Sequence, residues 1–108
     1  MRFKILTSKL FDKEFKSLCK KHASAKTDVT SIVQLLQQDP FQGTNLGNNC
    51  YKIRIAIKSK GKGKSGGARL ITNICIIENE IYLLSIYDKA EKESISDKDL
   101  NAVLKSLR

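Results

Sequence analysis

Apolar and polar residues alternate most clearly from position 51, with Tyr51, Ile53, Ile55 and Ile57 on one face and Lys52, Arg54, Ala56 and Lys58 on the other. A period of two predicts a half-buried strand, one face packed and one carrying charge. Ala68 to Ile77 is strongly β-forming and apolar on both faces, as a central strand would be. Beyond a tight turn at Glu78-Asn79-Glu80, Ile81 to Tyr87 predicts another strand, so the three form a consecutive antiparallel meander. Nearer the start, Phe3 to Thr7 alternates as a short strand and Ser8 caps a helix over 9–21. In that helix Phe11, Phe15, Leu18 and His22 recur at helical spacing, and Lys13, Lys16, Lys20 and Lys21 lie mostly on the other side. A second helix follows Ser24 to Thr27, lines one face with Val29, Ile32, Val33 and Leu36, and stops at Asp39-Pro40 because proline disfavours helical geometry in the residue before it. Residues 41–50 are rich in Gly, Asn and Thr and predict a loop. Ser96, three residues before Asp99, caps a last helix bearing Leu100, Val103, Leu104 and Leu107.

The order β-α-α-β-β-β-α predicts an α+β fold, an antiparallel sheet with the N-terminal helical hairpin packed on one face. With 108 residues, no linker and no repeat, residues 1–108 are expected to form one domain around a modest core. No stretch approaches the length of an apolar membrane span, and charge at Lys9 and Asp12 leaves no export signal, so a cytoplasmic protein without a membrane partner is expected.

Charge changes this picture. Twenty Lys and Arg against eleven Asp and Glu give a net +9, which favours an anionic partner: nucleic acid first, an acidic protein second, an anionic membrane surface third. A solvated basic surface is the plainer alternative. The charge is densest from Tyr51 to Arg69, which holds seven Lys or Arg, four glycines and no acid. Gly63-Lys64-Ser65 does not make a nucleotide-binding P-loop, because that motif needs glycine where Lys58 stands and joins a strand to a helix. The three cysteines, Cys19, Cys50 and Cys75, have no zinc or dithiol spacing and read as free thiols. Metal ligation has no support in spacing, and the single histidine, His22, cannot supply an acid and a base together. No cofactor is expected. Any catalysis must use Lys, Arg, Tyr and one Glu, which suits a phosphodiester oriented by cations and attacked by the substrate's own 2′-hydroxyl. RNA has that hydroxyl and DNA lacks it. A second candidate is the strand end Ile86 to Ser94, where Tyr87 and Lys89 can converge with Arg69, Lys52 and Arg54. Its plainer reading is a strand that ends in a charged, solvated turn.

The stretch YKIRIAIKSKGKGKSGGARLI, then IYLLSIYDKAEKE, then a short C-terminal helix, resembles the HigB-type branch of the RelE/ParE toxin superfamily along essentially the whole chain. The resemblance implies a bacterial type II toxin-antitoxin toxin and, on the RelE side, a metal-independent endoribonuclease. Such a toxin cuts messenger RNA in the ribosomal A site by attack of the 2′-hydroxyl on the adjacent phosphate. By position it implies that Lys52, Arg54 and Arg69 contact the scissile phosphate and that Lys58, Lys60, Lys62 and Lys64 dock on ribosomal RNA. RelE ends its last strand with a further arginine and, after it, a tyrosine; Ala90 and Ser96 stand in those places here. The HigB pattern Tyr-x-Lys-x-Glu is matched by Tyr87, Lys89 and Glu91, giving proton transfer to Tyr87 or Glu91 and charge stabilisation to Lys89. A cognate antitoxin with an acidic, amphipathic segment is the implied protein partner. The alternative is a noncatalytic binder, either a gyrase poison of the ParE kind or an inactive toxin homologue. ParE proteins lack the basic set, so Lys52, Arg54 and Arg69 favour the nuclease.

Overall fold

In the computed structural model, which describes residues 2–107, the strand beginning near Tyr51 is β3, Cys50–Ile55. It pairs antiparallel with β4, Ala68–Cys75, which pairs antiparallel with β5, Glu80–Asp88, so the expected meander is present. Two more strands complete the sheet in the order β1-β5-β4-β3-β2: β1, Lys4–Thr7, and β2, Thr44–Gly47. The architecture is α+β, and two details differ from expectation. The first strand lies parallel to β5, so the sheet is mixed at that edge. The segment 41–50 is not all loop, because β2 pairs with β3. Its Asn48 and Asn49 both have positive φ, 53° and 61°, the backbone of a two-residue hairpin turn that Asn tolerates well. The Asn and Gly content that looked like loop is the chemistry of a tight turn beside an exposed edge strand.

The helices are α1, Lys9–Lys21, α2, Ala25–Gln38, and α3, Asp97–Ser106. None is long and apolar enough to cross a membrane, among the described residues. Phe11, Leu18, Val29 and Leu36 of the hairpin pack with Ile53, Ile55, Leu70, Ile74, Ile81 and Ile86 on one face of the sheet. Leu100 and Val103 of α3 pack with Cys50, Ile71, Leu84 and Tyr87 on the other. Consecutive strand residues point to opposite faces, so β4 is apolar on both because helices cover both.

One irregularity sets where β5 ends. Ile71 pairs with Ser85 but Thr72 pairs with Leu83, leaving Leu84 as an extra residue in β5. Past Thr7, where β1 stops, α1 takes over this strand's outer edge. The buried Ser8 hydroxyl donates to the Leu84 carbonyl at 2.7 Å and accepts from the Phe11 N–H at 3.0 Å, capping α1 at the same time. One carboxylate oxygen of Glu14 accepts from the Ser85 hydroxyl at 2.6 Å and the Ile86 N–H at 3.2 Å. Removing the Ser8 oxygen deletes a helix cap and orphans a buried carbonyl. Ser8→Ala is therefore expected to lower the unfolding free energy by about 1–3 kcal/mol in urea titration. An unchanged midpoint would contradict this account of the α1–β5 junction.

Candidate nucleic-acid interface

The antiparallel register places Arg54 opposite Arg69 and Arg69 opposite Tyr87, a transverse row across three strands. Lys52 lies two residues along β3 on the same face as Arg54, opposite Ile71. Like charges directly opposite in a ladder are destabilising. No carboxylate offsets this pair: neither Lys52, Arg54 nor Arg69 joins an ion pair among the described residues. Arg54 is exposed and Lys52 half-buried.

Arg69 is only 4% exposed. One terminal nitrogen donates to the carbonyls of Lys64 at 2.9 Å and Ala68 at 3.1 Å, and the other to the carbonyl of Ser65 at 3.2 Å. The resemblance implies a direct phosphate contact here, but the guanidinium meets the carbonyls at the end of the glycine-lysine loop. Gly67 is essential to that approach, because a Cβ there would lie 2.0 Å from the Ile55 carbonyl oxygen.

The loop is more ordered than its composition implies. It begins with a 3-10 turn, Lys58–Lys60, fastened to the N-terminal end of α2. The Lys58 N–H donates to the buried Asp28 carboxylate at 2.9 Å and the Ser59 N–H to the Ser24 hydroxyl at 2.8 Å. Lys60, expected among the docking cations, turns inward with its side chain 8% exposed and pairs with Asp88. Lys58, Lys62 and Lys64 remain exposed.

Tyr87 is buried, and its hydroxyl lies near the Ile95 backbone and Ser94 without a well-formed hydrogen bond among the described residues. Burial pushes the phenol's pKa up, the Ile95 backbone, the Arg69 charge and Ser94 temper the rise, and Glu14 adds to it. The group thus stays protonated through neutral pH. Lys92 sits 4.6 Å from the Tyr87 ring centroid and 3.9 Å from Glu14. Neither Lys92 nor Glu14 was legible as a site residue, since each reads as one more helix or turn charge. The Lys89 N–H donates to the Gly67 carbonyl at 3.0 Å, which brings this residue beside the loop's end, and its side chain pairs with Glu93 at 3.6 Å. Glu91 is exposed and paired with Lys21 of α1; it shares a small cleft of about 80 Å³ with Tyr87, Glu14 and Lys21. Register thus puts Lys52, Arg54, Arg69 and Tyr87 on one face of the sheet, with the Lys89 backbone beside the loop's end and Glu91 on the α1 side.

Residues 4–107 match the family described as the RelE toxin of the RelE/RelB toxin-antitoxin system. The chain belongs to the RelE toxin family. It is accordingly a toxin of the toxin-antitoxin kind. Its fold is similar to that of an arginine-to-alanine double mutant of E. coli toxin RelE in the free state, with TM-score 0.62 and 12% identity over 100% of both chains. A crystal structure of the isolated E. coli RelE toxin, P21 form, gives 0.59 at 15% identity, covering 97% of this chain and 98% of that one. At such identities the likeness is one of fold.

In this RelE-family toxin a buried carboxylate fixes the site's edge. Asp88, next to Tyr87 and on the opposite face, meets three donors: Lys60, His22 Nε2 at 2.8 Å and the Ala90 N–H at 2.9 Å. Burial alone would raise its pKa, but Lys60, the Ala90 N–H and His22 more than offset it and hold the value at about 2, below the usual 3.8. A depressed carboxyl contributes stability above its unfolded pKa and loses it as pH falls through the folded one. Acid titration of unfolding should therefore show a loss of about 2 kcal/mol from this group as pH drops from about 4 to about 2. Asp88→Asn should cost about 3 kcal/mol at neutral pH, because Lys60 is left buried and unpaired, and should show a shallower acid slope. Coincident curves for the two proteins would contradict the assignment.

Proposed function

We propose that this toxin is a ribosome-dependent, metal-independent endoribonuclease of the HigB-type branch, cutting messenger RNA in the ribosomal A site. The observation that supports the reading is exposed Arg54 beside Lys52 on the face of the sheet that also carries Arg69 and Tyr87, with no carboxylate partner for either among the described residues. Arg69 is accounted for by the loop end it holds, but exposed Arg54 gains no structural partner from standing opposite it. In the proposed reaction Lys52 and Arg54 grip the nonbridging oxygens of the scissile phosphate, and Lys89 adds positive charge at its edge. The 2′-oxygen attacks the adjacent phosphorus, the bond to the 5′-oxygen breaks, and a 2′,3′-cyclic phosphate and a 5′-hydroxyl end result. The 2′-proton passes to solvent. Solvent supplies the proton to the departing 5′-oxygen, because the Tyr87 hydroxyl, which the resemblance makes a proton-transfer group, is enclosed by the fold. Glu91, tied to Lys21, stands outside the row and serves the α1 side of the cleft.

Exposed Lys58, Lys62 and Lys64 extend the positive surface toward ribosomal RNA, with an affinity that falls steeply as salt rises. Translation places such an enzyme in the cytoplasm. Its antitoxin would bring acidic residues to the cations and lay an apolar face on the domain, since charge complementarity both steers and holds such a pair.

The test is in vitro translation of a defined message with purified protein, mapping RNA ends. Wild type should cut within translated codons, and Arg54→Ala should cut about a hundredfold more slowly while folding normally. Intact message with well-folded wild type, together with gyrase-dependent DNA breaks, would replace this reading with that of a gyrase poison.

A further inference from the structure

We infer that Lys62–Gly66 forms a second phosphate site, built mainly from backbone N–H groups that Arg69 holds in place from behind. This rests on the RNA partner proposed above and concerns a phosphate other than the one gripped by Lys52 and Arg54. In a trans peptide the C=O and N–H point in opposite directions. Turning the Lys64 and Ser65 carbonyls onto the buried guanidinium therefore turns the Ser65 and Gly66 N–H groups away from it, toward solvent. Among the described residues, the N–H groups of Lys62, Gly63, Lys64, Ser65 and Gly66 donate to no protein acceptor.

The local backbone gathers these donors. Gly61 and Gly63 have positive φ, 71° and 63°, while Lys60, Lys62 and Lys64 do not. Such alternation curls successive N–H groups into an anion-binding concavity. The segment also closes on itself, because a Cβ on Gly66 would lie 2.6 Å from the Lys62 Cβ. It carries exposed Lys62 and Lys64, and among the described residues neither has a carboxylate partner. Clustered N–H donors with flanking cations suit a phosphate oxygen rather than a base edge, so the contact would position RNA without reading its sequence.

Arg69 then acts as a positioning residue. Its fork meets three carbonyls at once, a geometry that a single ammonium cannot reproduce. Lysine keeps the charge and loses the fork, so Arg69→Lys separates positioning from direct electrostatic contact.

The experiment records amide and arginine side-chain NMR shifts while titrating a fully 2′-O-methylated oligoribonucleotide, which cannot be cleaved, and, separately, inorganic phosphate. In wild type the Ser65 and Gly66 amides should shift with the oligonucleotide and the Arg69 Nε resonance should stay still. Lys62→Ala should weaken binding about tenfold, as for one lost charge-assisted contact. Arg69→Lys should abolish the two amide responses, and Arg54→Ala should preserve them. A shifting Arg69 Nε with silent amides in wild type would overturn the inference, as would intact amide responses in Arg69→Lys. A response to inorganic phosphate alone, an adventitious anion only, would overturn it too. Amide responses in a protein that never cuts RNA would uphold this site and sink the nuclease.

Discussion

A β-strand must send consecutive side chains to opposite faces, and at the end of β5 that constraint decides the geometry of the whole site. Asp88 is drawn to the hairpin face by Lys60, His22 and the Ala90 N–H. Tyr87 is thereby forced onto the α3 face, opposite Arg69. The extra residue at Leu84 sets the parity of the strand end, and Ser8 and Glu14 of α1 hold it. A shift of one residue would send Tyr87 toward the hairpin and Asp88 toward the cations, where a carboxylate would neutralise the site. Ordinary packing of α1 against β5 is thus what keeps the row positive.

The loop obeys the same logic at longer range. Its first turn is tied to Asp28, Ser24 and Asp88, and its last residues to Arg69 and to the close approach at Gly67. The residues between, 61–65, are exposed and carry Lys62 and Lys64. A segment anchored at both ends presents its cations in a limited set of positions, which lowers the entropy lost when a phosphate backbone is gripped. Two carboxylates, Asp28 and Asp88, are consumed in that anchoring, and both are buried. Asp88 neutralises Lys60, and Asp28 accepts from the Ser24 hydroxyl and the Lys58 N–H, so neither faces the lysines at the loop's tip.

Much of the fold was legible because its elements carry strong periodicity. The span 9–21 coincides with α1, since Ser8 is a true cap and the apolar spacing is regular. The meander followed from three apolar strand patterns. Strand β2 was hidden because an exposed edge strand of polar residues has no apolar alternation to show. The parallel pairing of β1 is a long-range choice that no local pattern encodes. Within the site, Lys52, Arg54, Arg69 and Tyr87 were legible as a set because strand period and register place them together. What could not be read was which cations fold inward. Lys60 and Lys62 look alike in sequence, yet one pairs with Asp88 across 28 residues and the other is exposed. Arg69 likewise carries no local sign that backbone carbonyls already hold it.

In the proposed nuclease the α3-side end of the sheet meets the scissile phosphate of a translated message. The most direct test is a structure of the toxin on a ribosome programmed with message that is 2′-O-methylated at the A-site codon. The account predicts a message phosphate within about 4 Å of Arg54 and Lys52, on the side of the row that also carries Tyr87. A complex in which that face is turned from the message, with the RNA held only by Lys58, Lys62 and Lys64, would contradict it.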